Sequence, residues 1–159
     1  MMNLYCDQLL CPDSFPWRFA DIIASDDCII SVLFSDTEKQ RKTNEITDIC
    51  KKQLYLYFNK ELIEFNLPIA KPKSVFSGLV YEKLVEIPYG KITHYKDIAV
   101  AMGDAKKSRA VGRACATNKL SIIIPCHRVV SSTGNLTGYA GGLQAKEWLI
   151  AHERRELHK

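Results

Sequence analysis

The chain of 159 residues lacks the features of several protein classes. No apolar run approaches the length of a membrane span, and the first residues, MMNLYC, contain no basic leader of the secretory type. The chain also has no internal repeat and no low-complexity tract. From these absences we expect a protein that neither spans nor needs a membrane, and that lies in the cytoplasm with its thiols reduced.

Histidine is missing from the first half of the chain, since all four histidines lie in the second half. Six cysteines are present, and Cys6 and Cys11 stand five residues apart with Cys28 further on. A structural zinc needs four sulfur or nitrogen ligands, and this set is incomplete. We therefore expect no metal site.

The charges are divided unevenly along the chain. Residues 1–72 carry 8 Lys and Arg against 11 Asp and Glu, a balance of −3. Residues 73–159 carry 14 against 7, a balance of +7. A basic half joined to an acidic half indicates one face suited to a polyanion, although an ordinary solvated surface would explain the same counts.

A cysteine stands directly before a histidine in the segment 124–130, which reads IPCHRVV. The apolar run Ser121 to Ile124 predicts a buried strand, and Pro125 would end it and leave the thiol at the strand terminus. A thiol is nucleophilic as the thiolate, which a nearby imidazole promotes. Cys126 with His127 is therefore a candidate nucleophile and base.

Several sequence blocks around this pair occur in a characteristic order. They read RAVGRACATN at 109–118, IIIPCHRV at 122–129, GYAGGL at 138–143, KEWL at 146–149 and AHE at 151–153. Together they resemble the active-site domain of the O6-alkylguanine-DNA alkyltransferases, self-inactivating DNA repair proteins. The resemblance covers roughly residues 74–153, and matched blocks in one order with matched spacing are far more specific than a four-residue motif alone.

The resemblance implies an α+β protein of two domains. Residues 1–72 would form an N-terminal ribonuclease-H-like α/β domain. Residues 73–159 would form a mostly helical domain for DNA binding and alkyl transfer, with a winged-helix-like helix-turn-helix. Pro68 and Pro72 favour a stiff connection between the two.

The sequence pattern alone predicts the following elements. We expect strands at 27–34 and 65–68, and helices at 45–58, 74–86, 94–102 (capped by Thr93), 108–116 and 142–153.

The resemblance also implies a mechanism without a cofactor. Cys126 would take the alkyl group from O6 of guanine and displace the base, so that each molecule reacts once. His127 would take the thiol proton, directly or through a water molecule, as general base. Glu153 would accept a hydrogen bond from the other imidazole nitrogen and fix its tautomer.

The resemblance further implies how the substrate is held. The partner would be double-stranded DNA that contains O6-alkylguanine, bound through the minor groove by a protein that is a monomer when free. The flipped base would contact Tyr95, Asn118, Val129, Tyr139 and Ala140. The DNA would contact Arg109, which fills the vacated place in the stack, and Ala110, Gly112 and Arg113.

Two other functions share some of these features. A cysteine hydrolase would use the same nucleophile and base, but it needs an oxyanion hole and normally has its histidine far from the cysteine in sequence. A transcription regulator would use the helix-turn-helix, but it has no need of a reactive thiol. Turnover of an ester or amide would support the first of these.

Overall fold

A computed structural model describes residues 2–134 and 136–156 of the chain; for Arg155 and Glu156 it describes the backbone alone. The protein is a mixed α/β molecule that divides into two compact units, Met1–Ala70 and Lys71–Lys159. Within the described residues, no helix is both long and apolar enough to cross a bilayer.

The first unit contains an antiparallel sheet of three strands in the order of the sequence. The strands are β1 (Tyr5–Leu10), β2 (Phe19–Ala24) and β3 (Ile29–Ser35). The predicted strand at 27–34 is confirmed as β3. On the inner face, Ile22 pairs with Val32 and both side chains are fully buried, as expected where one face of a sheet packs on a helix.

That helix is α1 (Glu45–Phe58), which has the bounds predicted from its apolar periodicity. Its start is fixed by a capping box, because Asn44 Oδ1 accepts from the Thr47 N–H at 2.9 Å and Thr47 Oγ1 accepts from the Asn44 N–H at 2.9 Å. Buried Leu54 and Tyr57 then cover the inner face of the sheet.

The predicted strand at 65–68 is wrong. The chain pairs with β3 at a single parallel bridge, Ile29 with Ile69. There Ile29 N donates to Pro68 O and Ala70 N donates to Ile29 O, each at 2.8 Å. Proline has no N–H to give to a ladder, so the prolines at 68 and 72 confine the pairing to this one residue.

The second unit is mostly helical. Its helices are α2 (Val75–Leu84), α3 (Tyr95–Ala101), α4 (Ser108–Ala116) and α5 (Leu143–Glu156). The strands β4 (Thr93–His94) and β5 (Val129–Val130) pair in parallel. The predicted helices 108–116, 74–86 and 142–153 are confirmed as α4, α2 and α5, the last two with shifted ends.

The predicted start of α3 is wrong in detail. His94 is the N-cap residue and makes no side-chain capping hydrogen bond. Thr93, the expected cap, pairs with Val129 instead. Thr93 is therefore part of β4, where it pairs with the distant β5, although the local sequence predicts it as the cap of α3.

The predicted strand Ser121 to Ile124 is also wrong. The segment forms consecutive turns, in which Ile123 N donates to Ser121 O at 2.8 Å and Ile124 N donates to Leu120 O at 3.0 Å. Ile122 has φ 70°, which a strand excludes and which a β-branched residue adopts only where packing imposes it. The apolar side chains are buried as expected, but they fill the core from a turn.

Helices α3 and α4 form a helix-turn-helix. Gly103, at φ 100°, ends α3 in a conformation that favours glycine. Asp104 then accepts from Lys106 N at 2.9 Å and caps the 3₁₀ helix Ala105–Lys107, which leads directly into α4. The connection is therefore ordered by local capping.

Candidate functional site

Cys126 begins the 3₁₀ helix Cys126–Arg128, directly before β5, and its side chain is buried. Asn118 braces the turns that precede it. Its Nδ2 donates to Leu120 O at 3.3 Å and to Ile124 O at 3.2 Å, and its Oδ1 accepts from Leu120 N at 2.9 Å. One buried amide therefore satisfies the turn's own polar groups and fixes the position of the thiol.

The next residue, His127, contacts Glu153 of α5. His127 Nε2 lies 2.6 Å from Glu153 Oε2, and both side chains are almost completely buried. Within the described residues, His127 Nδ1 has no hydrogen-bond partner from the protein. Because Nε2 is committed to Glu153, Nδ1 is the nitrogen left to exchange a proton with another group.

Arg128 also contacts Glu153 and ties it to the body of the unit. Its Nε donates to Glu153 Oε1 at 2.8 Å, its Nη2 donates to Glu153 Oε2 at 3.2 Å, and its Nη1 donates to Ile87 O at 2.7 Å. Gly90 N donates to Oε1 at 3.2 Å. The carboxylate therefore accepts at least four hydrogen bonds, two of them from the bidentate arginine.

These contacts set the protonation states of the pair. Burial acts to raise the pKa of Glu153, but the contacts with His127 and Arg128 hold it well below its usual range. Burial lowers the pKa of His127 despite the opposing effect of Glu153. Glu153 is therefore ionised, and His127 is neutral, donates through Nε2 and has a free electron pair on Nδ1.

The thiol of Cys126 is held in its protonated form. Burial raises its pKa well above the usual value, and the neighbouring Cys115 raises it further, while Asn118 and Lys146 act in the opposite direction. A buried thiol of this kind reacts when a base removes its proton. The structure supplies a neutral imidazole in the adjacent residue.

A second polar cluster connects α3, α5 and the loop before α5. Tyr95 Oη donates to Thr137 O at 2.9 Å. Lys146 Nζ donates to Thr137 O at 2.7 Å and to Tyr95 Oη at 3.1 Å. Lys146 is fully buried, and its place in the block KEWL at 146–149 does not by itself assign it a role. A lysine within a helix is usually exposed, so no feature of its local sequence could have identified it.

The other residues expected to contact the base lie around the same pair. Val129 is fully buried in β5, and the ring of Tyr139 meets that of His127 edge-on, with 6.5 Å between centroids. Ala140 is exposed next to it. Gly138, at φ 53°, brings this loop against α4, because a Cβ there would lie 3.5 Å from Ala116 Cβ.

The residues expected to contact DNA lie together on α4. Arg109 and Arg113 are exposed, and Ala110 and Gly112 are half-buried between them. The opposite face of the helix packs in the core through Val111, Ala114 and Cys115. Helix α4 therefore presents a basic face of two arginines with small residues between them.

Within residues 2–134 and 136–156, no group of three or more His, Cys, Asp or Glu side chains is arranged to hold a metal ion. All six cysteines of the chain are free thiols.

The chain resembles known proteins in both sequence and fold. The family model described as "6-O-methylguanine DNA methyltransferase, DNA binding domain" matches residues 75–155. A methylated-DNA–protein-cysteine methyltransferase of Methanosarcina barkeri is 47% identical over 106 residues, which cover 67% of this chain and 67% of that protein. The matched segments span 63 to 67% of three such curated relatives.

Solved structures agree over nearly the whole chain. The O6-methylguanine methyltransferase of Mycobacterium tuberculosis superposes with a TM-score of 0.84 at 27% identity, covering 97% of this chain and 94% of that one. The same organism's protein in complex with DNA gives a TM-score of 0.80 at 30% identity, covering 89% of each chain. The chain therefore belongs to the 6-O-methylguanine DNA methyltransferase family, the enzyme class of methylated-DNA–protein-cysteine methyltransferases, which repair DNA by alkyl transfer.

Proposed function

We propose that this protein repairs double-stranded DNA by transferring the alkyl group of O6-alkylguanine to Cys126. The observation that carries the proposal is the contact of 2.6 Å between His127 Nε2 and Glu153 Oε2, directly after a buried cysteine. This contact leaves Nδ1 of a neutral imidazole to accept the thiol proton.

The transfer proceeds as an in-line substitution at the alkyl carbon. His127 Nδ1 takes the proton of the Cys126 thiol, directly or through one water molecule, and Glu153 stabilises the imidazolium that forms. The thiolate forms a bond to the alkyl carbon, and the bond from that carbon to O6 breaks with its electron pair on guanine. The product is a thioether, which hydrolysis or thiol exchange does not reverse, so each molecule reacts once.

The flipped base enters beside Cys126, where Tyr95, Val129, Tyr139 and Ala140 bound the space and Asn118 holds the nucleophile's turn. Support comes from the position of Gly138, whose backbone lies against both Tyr95 and α4. The buried ring of Tyr139 offers an apolar wall next to His127, and Tyr95 offers a hydroxyl to the base.

Helix α4 binds the DNA from its minor groove. Arg109 enters the stack in place of the extruded base, while Ala110 and Gly112 let the helix backbone approach and Arg113 contacts a phosphate. The exposure of both arginines supports this role, as does the solved complex of the M. tuberculosis protein with DNA. Arg109→Ala should slow repair of duplex DNA about tenfold or more and leave reaction with a free O6-alkylguanine base unchanged. Equal losses on both substrates would rule out the stack-filling role.

The proposal also covers the two domains, the oligomeric state and the cellular compartment. Residues 1–72 form a ribonuclease-H-like domain, and residues 73–159 form the DNA-binding and transfer domain with a winged-helix-like element. The free protein is a monomer, because one copy holds the whole of the proposed site. Six free thiols support a reducing compartment such as the cytoplasm.

The test is intact-protein mass spectrometry after mixing with excess duplex that contains one O6-methylguanine. We expect the mass of a single methyl group to be added to the wild-type protein and none to Cys126→Ala. Cys50→Ala, which removes a buried thiol of the first unit, is the matched control and should still gain one methyl group. An unmodified wild-type protein that binds the lesion would indicate a damage sensor, and turnover of an ester or amide would indicate a hydrolase.

A further inference from the structure

Cys115 is a second buried thiol of the second unit, and the proposed transfer does not use it. It lies near the end of α4, on the face that packs in the core, and its side chain is fully buried. A buried cysteine usually serves as a small apolar group, so burial alone needs no further explanation. Cys115 also interacts with the thiol of Cys126 through a side-chain hydrogen bond, and this pairing distinguishes it.

The backbone holds the two cysteines close together. Asn118 N donates to Cys115 O at 3.3 Å, and Asn118 Nδ2 donates to Ile124 O at 3.2 Å. Ile124 O also accepts from Cys126 N at 2.7 Å. One residue therefore bonds both to the end of α4 and to the turn that carries the nucleophile, through hydrogen bonds that involve neither thiol.

Side chains from three other helices face both thiols. Tyr81 of α2, Tyr95 of α3 and Lys146 of α5 each interact electrostatically with Cys115 and with Cys126. Tyr81 Oη also donates to the carbonyl of the residue before Cys115, at 3.1 Å. Because the thiols share neighbours from three directions, they face the same part of the interior.

The buried thiols of the first unit have a different environment. Burial raises the pKa of Cys11 and of Cys50 to about 12 each, and the charges of Asp21 and Asp7 respectively act in the same direction. Each of these thiols therefore faces a carboxylate, which opposes its ionisation. In the second unit a thiol with an adjacent base faces another thiol, which is the arrangement of a redox-active cysteine and its resolving partner.

We propose that Cys115 and Cys126 form a reversible disulfide when the protein meets a hydroperoxide, so that Cys115 is a resolving thiol that protects the nucleophile from irreversible oxidation. Thiols reduce a disulfide, whereas they do not release the alkyl group of a thioether. The disulfide uses the base of the site but not alkyl transfer, so it goes beyond the proposed function and can be tested apart from it.

The oxidation balances in two steps. His127 takes the proton of Cys126, and the thiolate forms a bond to one peroxide oxygen while the oxygen–oxygen bond breaks. The hydroxide that leaves takes the proton from His127 and becomes water, and Cys126 is left as a sulfenic acid. The sulfur of Cys115 then bonds to that of Cys126, and the departing hydroxide takes the proton of Cys115 as a second water. The thiols lose two electrons and the peroxide gains them.

The competing reaction is oxidation of the sulfenic acid by a second peroxide molecule. It gives a sulfinic acid, which thiols do not reduce. Cys115 is already in place beside Cys126, and a well-oriented internal group reacts as though it were present at a very high concentration. We therefore expect the disulfide to form before the sulfinic acid does.

The experiment maps the new bond and measures transfer in the same samples. Reduced full-length protein, freed of reductant, is treated with excess hydrogen peroxide, denatured, blocked with N-ethylmaleimide and digested with trypsin without reductant. Trypsin cleaves after Arg113, Lys119 and Arg128, so the two cysteines fall in separate peptides, 114–119 and 120–128. Before denaturation, portions with and without added dithiothreitol are assayed for single-turnover transfer from duplex O6-methylguanine.

In the wild-type protein we expect the two peptides to be joined, transfer to fall about tenfold or more, and dithiothreitol to restore it to within about twofold of the reduced rate. Cys115→Ala should give no joined peptide, and Cys126 should become a sulfinic acid. Dithiothreitol should then restore less than about a tenth of that variant's own reduced rate. Cys50→Ala, which removes a buried thiol of the first unit, is the matched control and should behave as the wild type does.

Two results would overturn the role of Cys115. One is a wild-type protein that forms no joined peptide, whether Cys126 stays a thiol or becomes a sulfinic acid. The other is equal recovery of transfer in the wild-type protein and in Cys115→Ala. The first needs no variant, so it holds even if Cys115→Ala fails to fold. A reduced wild-type protein that takes no methyl group from the lesion would instead refute the proposed function, while a joined peptide would still establish the disulfide.

Discussion

Each unit of the molecule buries a thiol and a carboxylate, but the carboxylate contacts a base next to the thiol in the second unit. In the first unit the carboxylate is Asp7 and the thiol is Cys50, and burial together with the charge of Asp7 raises the pKa of Cys50 to about 12. In the second unit the carboxylate is Glu153, and it is bonded to the imidazole next to Cys126. Burial is the main cause of the raised pKa of both thiols, so the difference between them is the base: Cys126 has beside it an imidazole that Glu153 orients.

The partners of the two carboxylates differ as well. Asp7 Oδ1 lies 3.5 Å from Arg41 and 3.4 Å from Lys51, whose side chains are 43% and 36% exposed. Glu153 is bonded to His127 and Arg128, whose side chains are 0% and 9% exposed. The partners of Asp7 face water, which screens their charges, whereas the partners of Glu153 are shielded from water. Burial is common to both carboxylates, so it does not by itself mark a reaction site.

The largest expected effect that separates the two networks is on the rate of alkyl transfer. Glu153→Gln should slow transfer about 1000-fold, because a neutral amide cannot stabilise the imidazolium that forms on His127. Asp7→Asn, the same chemical change in the first unit, should leave the rate within about twofold of wild type. Single-turnover methylation under excess protein measures both. Equal rates for the two variants would remove Glu153 from the proposed proton relay.

The next effect is on the free energy of unfolding. Glu153→Gln leaves the buried guanidinium of Arg128 without its counter-charge and should cost about 3 kcal/mol. Asp7→Asn should cost about 1 kcal/mol, because Arg41 and Lys51 turn to solvent.

Urea unfolding followed by tryptophan fluorescence separates the two units, since each has one tryptophan. Trp17→Phe leaves the signal of Trp148 in the second unit, and Trp148→Phe leaves that of Trp17 in the first. A larger loss in the first unit for Asp7→Asn than in the second for Glu153→Gln would show that screening by water does not distinguish the networks.

The helices are the elements of the fold that the sequence predicts best. The bounds of α1 and α4 follow from apolar periodicity. For α1 they also follow from the capping pair of Asn44, the residue before the helix, and Thr47, a residue within it. The conformation of the run Ser121 to Ile124 cannot be predicted in this way, because a buried apolar segment of four residues has the same composition in a strand as in a turn. Ile122 has φ 70°, which the apolar composition of the run does not indicate.

The candidate site divides in the same way. Cys126 and His127 are adjacent in sequence, and Glu153 could be named from a resemblance between proteins. Lys146 could not, since its partners Tyr95 and Thr137 lie far from it along the chain and a helical lysine carries no local sign of burial. Residues that act through contacts from distant segments become visible when the chain is folded.

The smallest expected effect is the response to acid, which also separates the units. The folded pKa of His127 lies below its usual value of 6.5, so the unfolded chain binds more protons as the pH falls below 6.5 and the second unit loses stability. The first unit has no histidine. Between pH 7.5 and 5.5 the second unit should therefore lose about 1 kcal/mol, as reported by Trp148, and the first should change less. Transfer should slow in the same direction, because protonated His127 cannot take the thiol proton. A transfer rate that rises on acidification would mean that His127 acts as its imidazolium. A neutral base at His127 would then not explain why Cys126 is reactive and Cys50 is not.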